Sequence, residues 1–504
     1  MSLKSLPKLW PVIAIGLLGW GIATGTQYLS GSYRTELNWS VDEPAHYVSG
    51  LMVTQYLRQG MPGNPMRFAE NYYVHYPKVA IGSWPPAFYG VQGVWGLLFG
   101  SSKVSLFLLI GLLMGLGSAG IFWCSRPFAG VWAAAAMAVA YVLVPVSQWL
   151  SAMFMAEPLI AVFALGATVC FALFLEEPGI YRGLCYGVFV ILTILTKGTG
   201  VALVLLPLIA ILMTRRWRLL VSPGLWVAAV LVCLLGGIWT FLTLQIVSEG
   251  WADKPGVRYA VNALLDEPVY VWDNLGTLLV VLSLFGAWRA VRQTSSLGIA
   301  MLASILGIFV FYMLPPIGLE KRYFHVVVPM ALILAAMGVE AVAGMLRFRY
   351  VRELLAVAIV GGCLWRYFPI QQKPHYGFDQ AAARFAGRDL RGCVALLSSN
   401  TDLEGMFISE VAMRQPVPAV YLVRSTKALA RSNWSGSSYQ VLYANAAAVY
   451  DFLEQSPVNL IVTDTFPKLP RSMNKPHHAL VREMLSEHPG DWEQIDSIAT
   501  PPDA

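Results

Sequence analysis

Two neighbouring stretches decide the fold: Val104–Trp123, VSLFLLIGLLMGLGSAGIFW, and Phe128–Leu150, FAGVWAAAAMAVAYVLVPVSQWL. Neither holds a charged residue, and each is long enough to cross roughly 30 Å of hydrocarbon as a helix. Arg126 and Pro127 stand between them and separate one run from the next. Of 504 residues, 57% are hydrophobic and 13% charged, whereas a soluble domain carries about 25% charged residues. A soluble fold is thereby excluded. Backbone in lipid must satisfy its own hydrogen bonds, as helix or closed barrel, and these runs lack the alternation of barrel strands. The expected architecture is an all-α polytopic membrane bundle.

Lys and Arg concentrate in cytoplasmic loops, so the basic residues orient the bundle. With Lys4 and Lys8 inside, Trp10–Leu29 crosses outward and Gly31–Pro85 forms a long outer segment. Crossings at 104–123, 128–150 and 158–175 place Arg126 and Arg182 inside and Glu157 outside. Crossings five and six turn at Lys197 and end inside at Arg215, Arg216 and Arg218. A seventh, 222–246, leads to the outer loop Val247–Asp273. An eighth ends at Arg289 and Arg292, a ninth (297–314) leads out to Lys321 and Arg322, and a tenth (324–345) returns to Arg347, Arg349 and Arg352. A last crossing at 354–370 makes eleven and leaves the tail outside. No small-residue cleavage site follows the first apolar stretch, so it reads as an anchor rather than a signal peptide. The net charge of +6 belongs to these inner loops. No basic stripe with interleaved aromatics suggests nucleic acid. The six cysteines occur singly, with neither metal spacing nor a disulfide framework.

The division expected is a membrane domain over 1–370, carrying the outer loop 31–85, and an extracytoplasmic α/β domain over 371–504. In the tail, Cys393–Ser398, Ala419–Val423 and Asn459–Thr463 read as strands, and Leu403–Arg414 and Ala444–Glu454 as helices. No glycine-rich phosphate loop accompanies them, so the tail reads as a packing or acceptor-docking domain. Asn-Trp-Ser triplets at Asn38 and Asn433 fall on the outer side and are acceptors only in a eukaryotic secretory setting.

Polar residues gather in the first outer segment. Val41-Asp42-Glu43-Pro44-Ala45-His46 sets two carboxylates before a proline suited to a first helical turn, with Asp42 at an N-cap position. Capping is the ordinary reading of such a start. Ala45–Leu57 then reads as an amphipathic helix on the membrane surface. Farther on come Tyr72-Tyr73-Val74-His75-Tyr76-Pro77 and Ser83-Trp84-Pro85-Pro86, followed by the interfacial stretch Ala87–Phe99, too short to span.

In this order, an outer Asp-Glu, a Pro-Pro opening an interfacial helix, the acidic Glu157 after the third span and Arg322-Tyr323 heading a late span, the sequence resembles the GT-C membrane glycosyltransferases. Within them it is similar to the branch of protein O-mannosyltransferases and aminoarabinose transferases (glycosyltransferase family 39-like). The resemblance covers roughly 1–370. It implies an inverting transfer of a hexose or pentose from a polyprenyl-phosphate donor to a hydroxyl on a lipid, glycan or protein, at the outer face of a bacterial inner membrane. It makes Asp42, with Glu43, the catalytic pair and Glu157 the second acidic site. Two departures stand out. Where relatives carry an acidic-basic pair before Pro-Pro, this chain has Ser83-Trp84, and Glu157 replaces a frequent Asp. The first removes a metal ligand and a phosphate contact.

Independently, inverting transfer needs a carboxylate to take the acceptor proton, and Asp42 is the candidate. Cations near the departing phosphate stabilise its growing charge, and Lys197, Arg322 and Tyr323 are placed for donor-phosphate binding. Lys197 interrupts an apolar hairpin, where a charge costs about 2.5–3.5 kcal/mol on insertion scales; the ordinary alternatives are a snorkelling Lys197 and an interfacial Arg322. Glu157 is left with three roles, acid-base partner of Asp42, ligand of a divalent metal, or acceptor guide, and no cofactor is assigned. His46, His75 and His325 are weaker candidates. Carboxylates and cations are expected to converge on one lipid-facing cavity. The competing classes are a lipid-linked glycan flippase or transporter, which usually shows related halves, and a surface-glycan ligase or polymerase.

Overall fold

The computed structural model describes residues 9–499 apart from 81, 347, 389, 400, 433–437 and 466–474. Lys4, Lys8, Arg347 and Asn433 lie outside the described residues. Among the described residues, five helices are long and apolar enough to cross a membrane: Leu9–Leu29, Lys103–Leu143, Glu157–Glu176, Pro223–Ser248 and Lys321–Leu346. A sixth span results if Val257–Leu275 and Thr277–Arg292, bent 114° against each other, count as one. The chain is an integral membrane protein with a mostly helical fold. The remaining crossings expected from sequence fall on shorter helices. Ile180–Thr196 stops because Lys197 takes an extended conformation (φ −153°, ψ 134°), and the chain restarts in the 3-10 turn Gly198–Val204. Lys103–Leu143 breaks at Gly130, whose φ of 79° and ψ of 177° no helix tolerates, just after Pro127.

Small residues let the spanning helices approach backbone to backbone, as lipid-embedded packing requires. A Cβ on Gly286 would lie 1.7 Å from the Leu334 carbonyl oxygen, and one on Gly338 would lie 2.0 Å from that of Leu282. This double contact clamps Thr277–Arg292 on the 328–346 helix. A Cβ on Gly183 would likewise lie 2.1 Å from the Gly224 carbonyl oxygen.

By internal contacts the chain forms two compact units. One comprises 1–30, 84–88 and 107–371; the other comprises 31–83, 89–106 and 372–504. In the second, the strands Tyr421–Arg424, Val394–Ser398 and Leu460–Thr463 lie in that spatial order as a parallel sheet. Leu396 is opposite both Val423 and Ile461. The apolar run Val394–Ser398 takes the centre, where both faces are covered. The tail helix Thr401–Arg414 packs on Glu43–Arg58 of the 31–83 segment. The loop helix is therefore enclosed by protein from Glu43 to Leu51, and does not lie with one face free as its amphipathic reading suggested.

Candidate functional site

The bundle unit collects five of the residues singled out from sequence. Glu157 opens the 157–176 helix and Lys197 occupies the extended break between two helices. Arg322, Tyr323 and His325 sit in the 3-10 turn Lys321–Val327 that heads the last long span. Lys197 Nζ donates to Glu157 Oε1 at 2.7 Å, and Arg322 Nε lies 3.9 Å from the same oxygen. Arg322 Nε also meets Glu320 Oε2 at 2.7 Å. Tyr323 stands beside both cations, its ring centre 4.5 Å from Lys197 Nζ and 5.3 Å from Arg322 Cζ, and its hydroxyl donates to Glu320 Oε1 at 3.2 Å.

Two cations and two carboxylates thus balance one another. They do so unequally: the side chains of Glu157 and Arg322 are 3% and 7% exposed, while that of Glu320 is 47% exposed. An anion entering here would replace Glu320 with least loss, because water already solvates that carboxylate. His325 lies behind the group. Its Nε2 is 3.1 Å from Ser147 Oγ and its Nδ1 3.4 Å from the Glu157 carbonyl oxygen, so it steadies the backbone that carries Glu157.

The loop-and-tail unit holds Asp42 and Glu43. Asp42 sits at the N-cap of the 43–58 helix but its side chain makes no capping bond, so helix initiation does not account for it. Glu43 is wholly buried. Both its oxygens are 3.2 Å from Lys373 Nζ, and Oε2 accepts from the Trp39 amide at 2.8 Å. Burial pushes the Lys373 ammonium below its ordinary range, with Glu43 opposing the shift. Glu43 thereby acts as the anchor of the loop on the tail. Lys103 repeats the device: its Nζ donates to Glu410 Oε1 at 2.6 Å and to the Thr35 carbonyl oxygen at 2.8 Å.

His46 Nδ1 is 2.9 Å from the Tyr89 hydroxyl. His75 Nδ1 is 2.9 Å from the Val420 carbonyl oxygen, and its ring stacks on Tyr421 at 4.2 Å. Both are engaged in packing. The group best suited to hold a metal lies elsewhere, in Glu36, His375 and Asp379, whose ligand atoms fall within 4.8 Å of one another. The protein already uses them: Glu36 accepts from the Phe378 amide at 2.7 Å and the Tyr376 amide at 3.1 Å, and His375 bonds Asp379 at 2.9 Å.

Sequence reasoning missed Glu320, Glu36 and the two buried lysine pairs. Glu320 was signalled by Glu-Lys-Arg-Tyr, an acid placed directly before the cations. Lys373 and Glu410 carry no local signal, because their partners are distant in sequence.

Among solved structures, the chain is similar to ArnT from Cupriavidus metallidurans in the apo state, with 17% identity over 81% of this chain and 88% of that one, at a TM-score of 0.53. The Archaeoglobus fulgidus oligosaccharyltransferase in complex with zinc and sulfate is 13% identical over 79% of this chain and 61% of its own, with a TM-score of 0.54. The archaeal oligosaccharyltransferase AglB from Archaeoglobus fulgidus, in complex with an inhibitory peptide and a dolichol-phosphate, gives 12%, 82%, 64% and 0.52. The chain spans less than two thirds of the length of these archaeal enzymes. No protein-family model matches the sequence, and no curated protein does.

Proposed function

From a fold that is that of the GT-C membrane glycosyltransferases, we propose that this chain moves a sugar from a polyprenyl-phosphate donor to a hydroxyl of a lipid, glycan or protein, with inversion. The observation that carries this reading is the Glu157–Lys197–Arg322–Tyr323 group, two cations held at the break and head of apolar helices. A charge so placed is costly unless a ligand or partner uses it. A similar archaeal oligosaccharyltransferase is found in complex with a dolichol-phosphate, which supports a lipid phosphate as the anion.

In this reading the acceptor oxygen forms a bond to the anomeric carbon on the face opposite the phosphate. The carbon–oxygen bond to phosphate breaks, and its electron pair leaves with the polyprenyl phosphate. The acceptor proton passes to the Asp42 carboxylate. Lys197 and Arg322 meet the charge that grows on the leaving oxygen, an effect worth more in a dry site than in water. Glu157 holds Lys197 in place, and Tyr323 gives both cations an aromatic face. The outer loop and tail stand on the extracytoplasmic side of a bacterial inner membrane, with the amino terminus inside and eleven crossings. The clusters of Arg after spans six, eight and ten support this orientation.

The test is transfer of radiolabelled sugar from polyprenyl-phosphate donors to membrane acceptors by the purified protein. Asp42→Asn is expected to lower kcat by about 10²–10⁴ with unchanged thermal unfolding. Full transfer by this variant would remove Asp42 as the base.

A further inference from the structure

Lys78 is a cation that the proposed reaction leaves unused. The segment around it is fixed. The Tyr76 hydroxyl donates to the Gln415 carbonyl oxygen at 2.6 Å, and the Ala80 amide donates to Ser49 Oγ at 3.0 Å. The side chain runs through the space left by a missing Cβ in the tail helix Thr401–Arg414: a Cβ on Gly405 would lie 2.8 Å from Lys78 Cε and 3.1 Å from its Nζ. Pro44, two positions after Asp42, borders the same space at 3.5 Å. Lys78 is therefore a part-buried lysine threaded between the tail helix and the helix that begins behind Asp42.

Its ammonium makes no hydrogen bond or ion pair among the described residues, although charges of both signs surround it. Asp42, Asp402 and Glu404 act on it as carboxylates and Arg424 as a cation. Glu404 is committed elsewhere, accepting from Arg424 Nε, Ser425 Oγ and the Thr426 amide, each at 2.9 Å. A half-buried ammonium that no described protein group accepts from keeps its donors available to a ligand oxygen. Burial and Arg424 push it down to about 8, with Asp42, Asp402 and Glu404 opposing.

We propose that Lys78 binds the acceptor, donating a hydrogen bond to the hydroxyl oxygen whose proton Asp42 takes, and that the tail helix 401–414 holds it there. A hydroxyl has one proton to give and lone pairs to receive a donor. A carboxylate and an ammonium within electrostatic reach of one another match both needs. The tail thus supplies part of the acceptor site, which rests on the reading of Asp42 given above.

The experiment measures transfer from radiolabelled polyprenyl-phosphate sugars, extracted from host membranes, to hexyl glucoside as the hydroxyl acceptor. Lys78→Met is expected to raise the acceptor KM at least tenfold while leaving the donor KM unchanged. The wild-type rate should fall as pH rises through about 8, where the ammonium is lost. In Lys78→Arg, whose cation does not titrate there, that fall should move to higher pH. A Lys78→Met enzyme with the wild-type acceptor KM, or an alkaline fall unmoved in Lys78→Arg, overturns the inference. Competitive acetylation followed by mass spectrometry gives a reading independent of turnover: the pH of half-reaction at Lys78 should drop in Asp402→Asn and in Asp42→Asn, and an unchanged pH in both overturns it. If Asp42→Asn transfers normally while Lys78→Met loses acceptor affinity, the base assignment fails and the acceptor site stands. A protein that transfers no sugar at all overturns both.

Discussion

The two places where this chain buries charge are built differently. In the bundle, Lys197 and Arg322 share Glu157 and Glu320, with one carboxylate enclosed and the other half in water. In the loop-and-tail unit, Lys373 with Glu43, and Lys103 with Glu410, are paired inside protein, and the first pair is fully enclosed. The first arrangement can exchange a partner at small cost. The second cannot, because a lone charge left inside protein costs several kcal/mol. Burial of charge alone therefore does not mark a reactive site; the presence of a partner that can leave does.

Breaking the second arrangement should give the largest effect. Glu43→Gln strands Lys373, and stability should fall by roughly 3–5 kcal/mol, read by thermal unfolding in detergent. Transfer per folded molecule should stay near wild type. A rate collapse at full stability would move Glu43 into the chemistry. Arg322→Met should behave in the opposite sense, with kcat down about 10²–10³ and donor KM raised, while unfolding moves less than in Glu43→Gln. The sharpest test is the smallest effect. Glu320→Gln removes a partner that is half exposed, so stability should change by about 1 kcal/mol or less, and binding of polyprenyl phosphate, followed by tryptophan fluorescence, should tighten. Weaker binding would show that Glu320 positions Arg322 rather than yielding to the anion.

The sequence carried the bundle because uncharged runs such as Val104–Trp123 are read by length alone. The tail strands were also legible. The observed Val394–Ser398, Tyr421–Arg424 and Leu460–Thr463 lie within two residues of the β-rich runs that indicated them. Lys197 was visible as a charge in an apolar hairpin, and its contact with Glu157 explains the anomaly. Three features were not legible. The surface helix at Ala45–Leu57 is covered by a tail helix whose packing partner no local pattern announces. Lys78 looks like any loop lysine until Gly405, far along the chain, opens the space for it. Glu43 and Asp42 are adjacent and of the same charge type, and only the approach of Lys373 separates an anchor from a candidate base.

The discontinuity of the second unit has a consequence for how the protein is made. Glu43 leaves the ribosome 330 residues before Lys373, and Lys103 precedes Glu410 by 307. Throughout that interval the helices of the bundle are being made while the 31–83 segment lacks its covering helix and its counter-ions. Its buried ion pairs can form only once Lys373 and then Glu410 have been made. The tail is thus not a module that can be trimmed or exchanged without stranding Glu43 and Lys103, and nonsense mutations between residues 372 and 410 should yield chains that insert into the membrane yet are degraded.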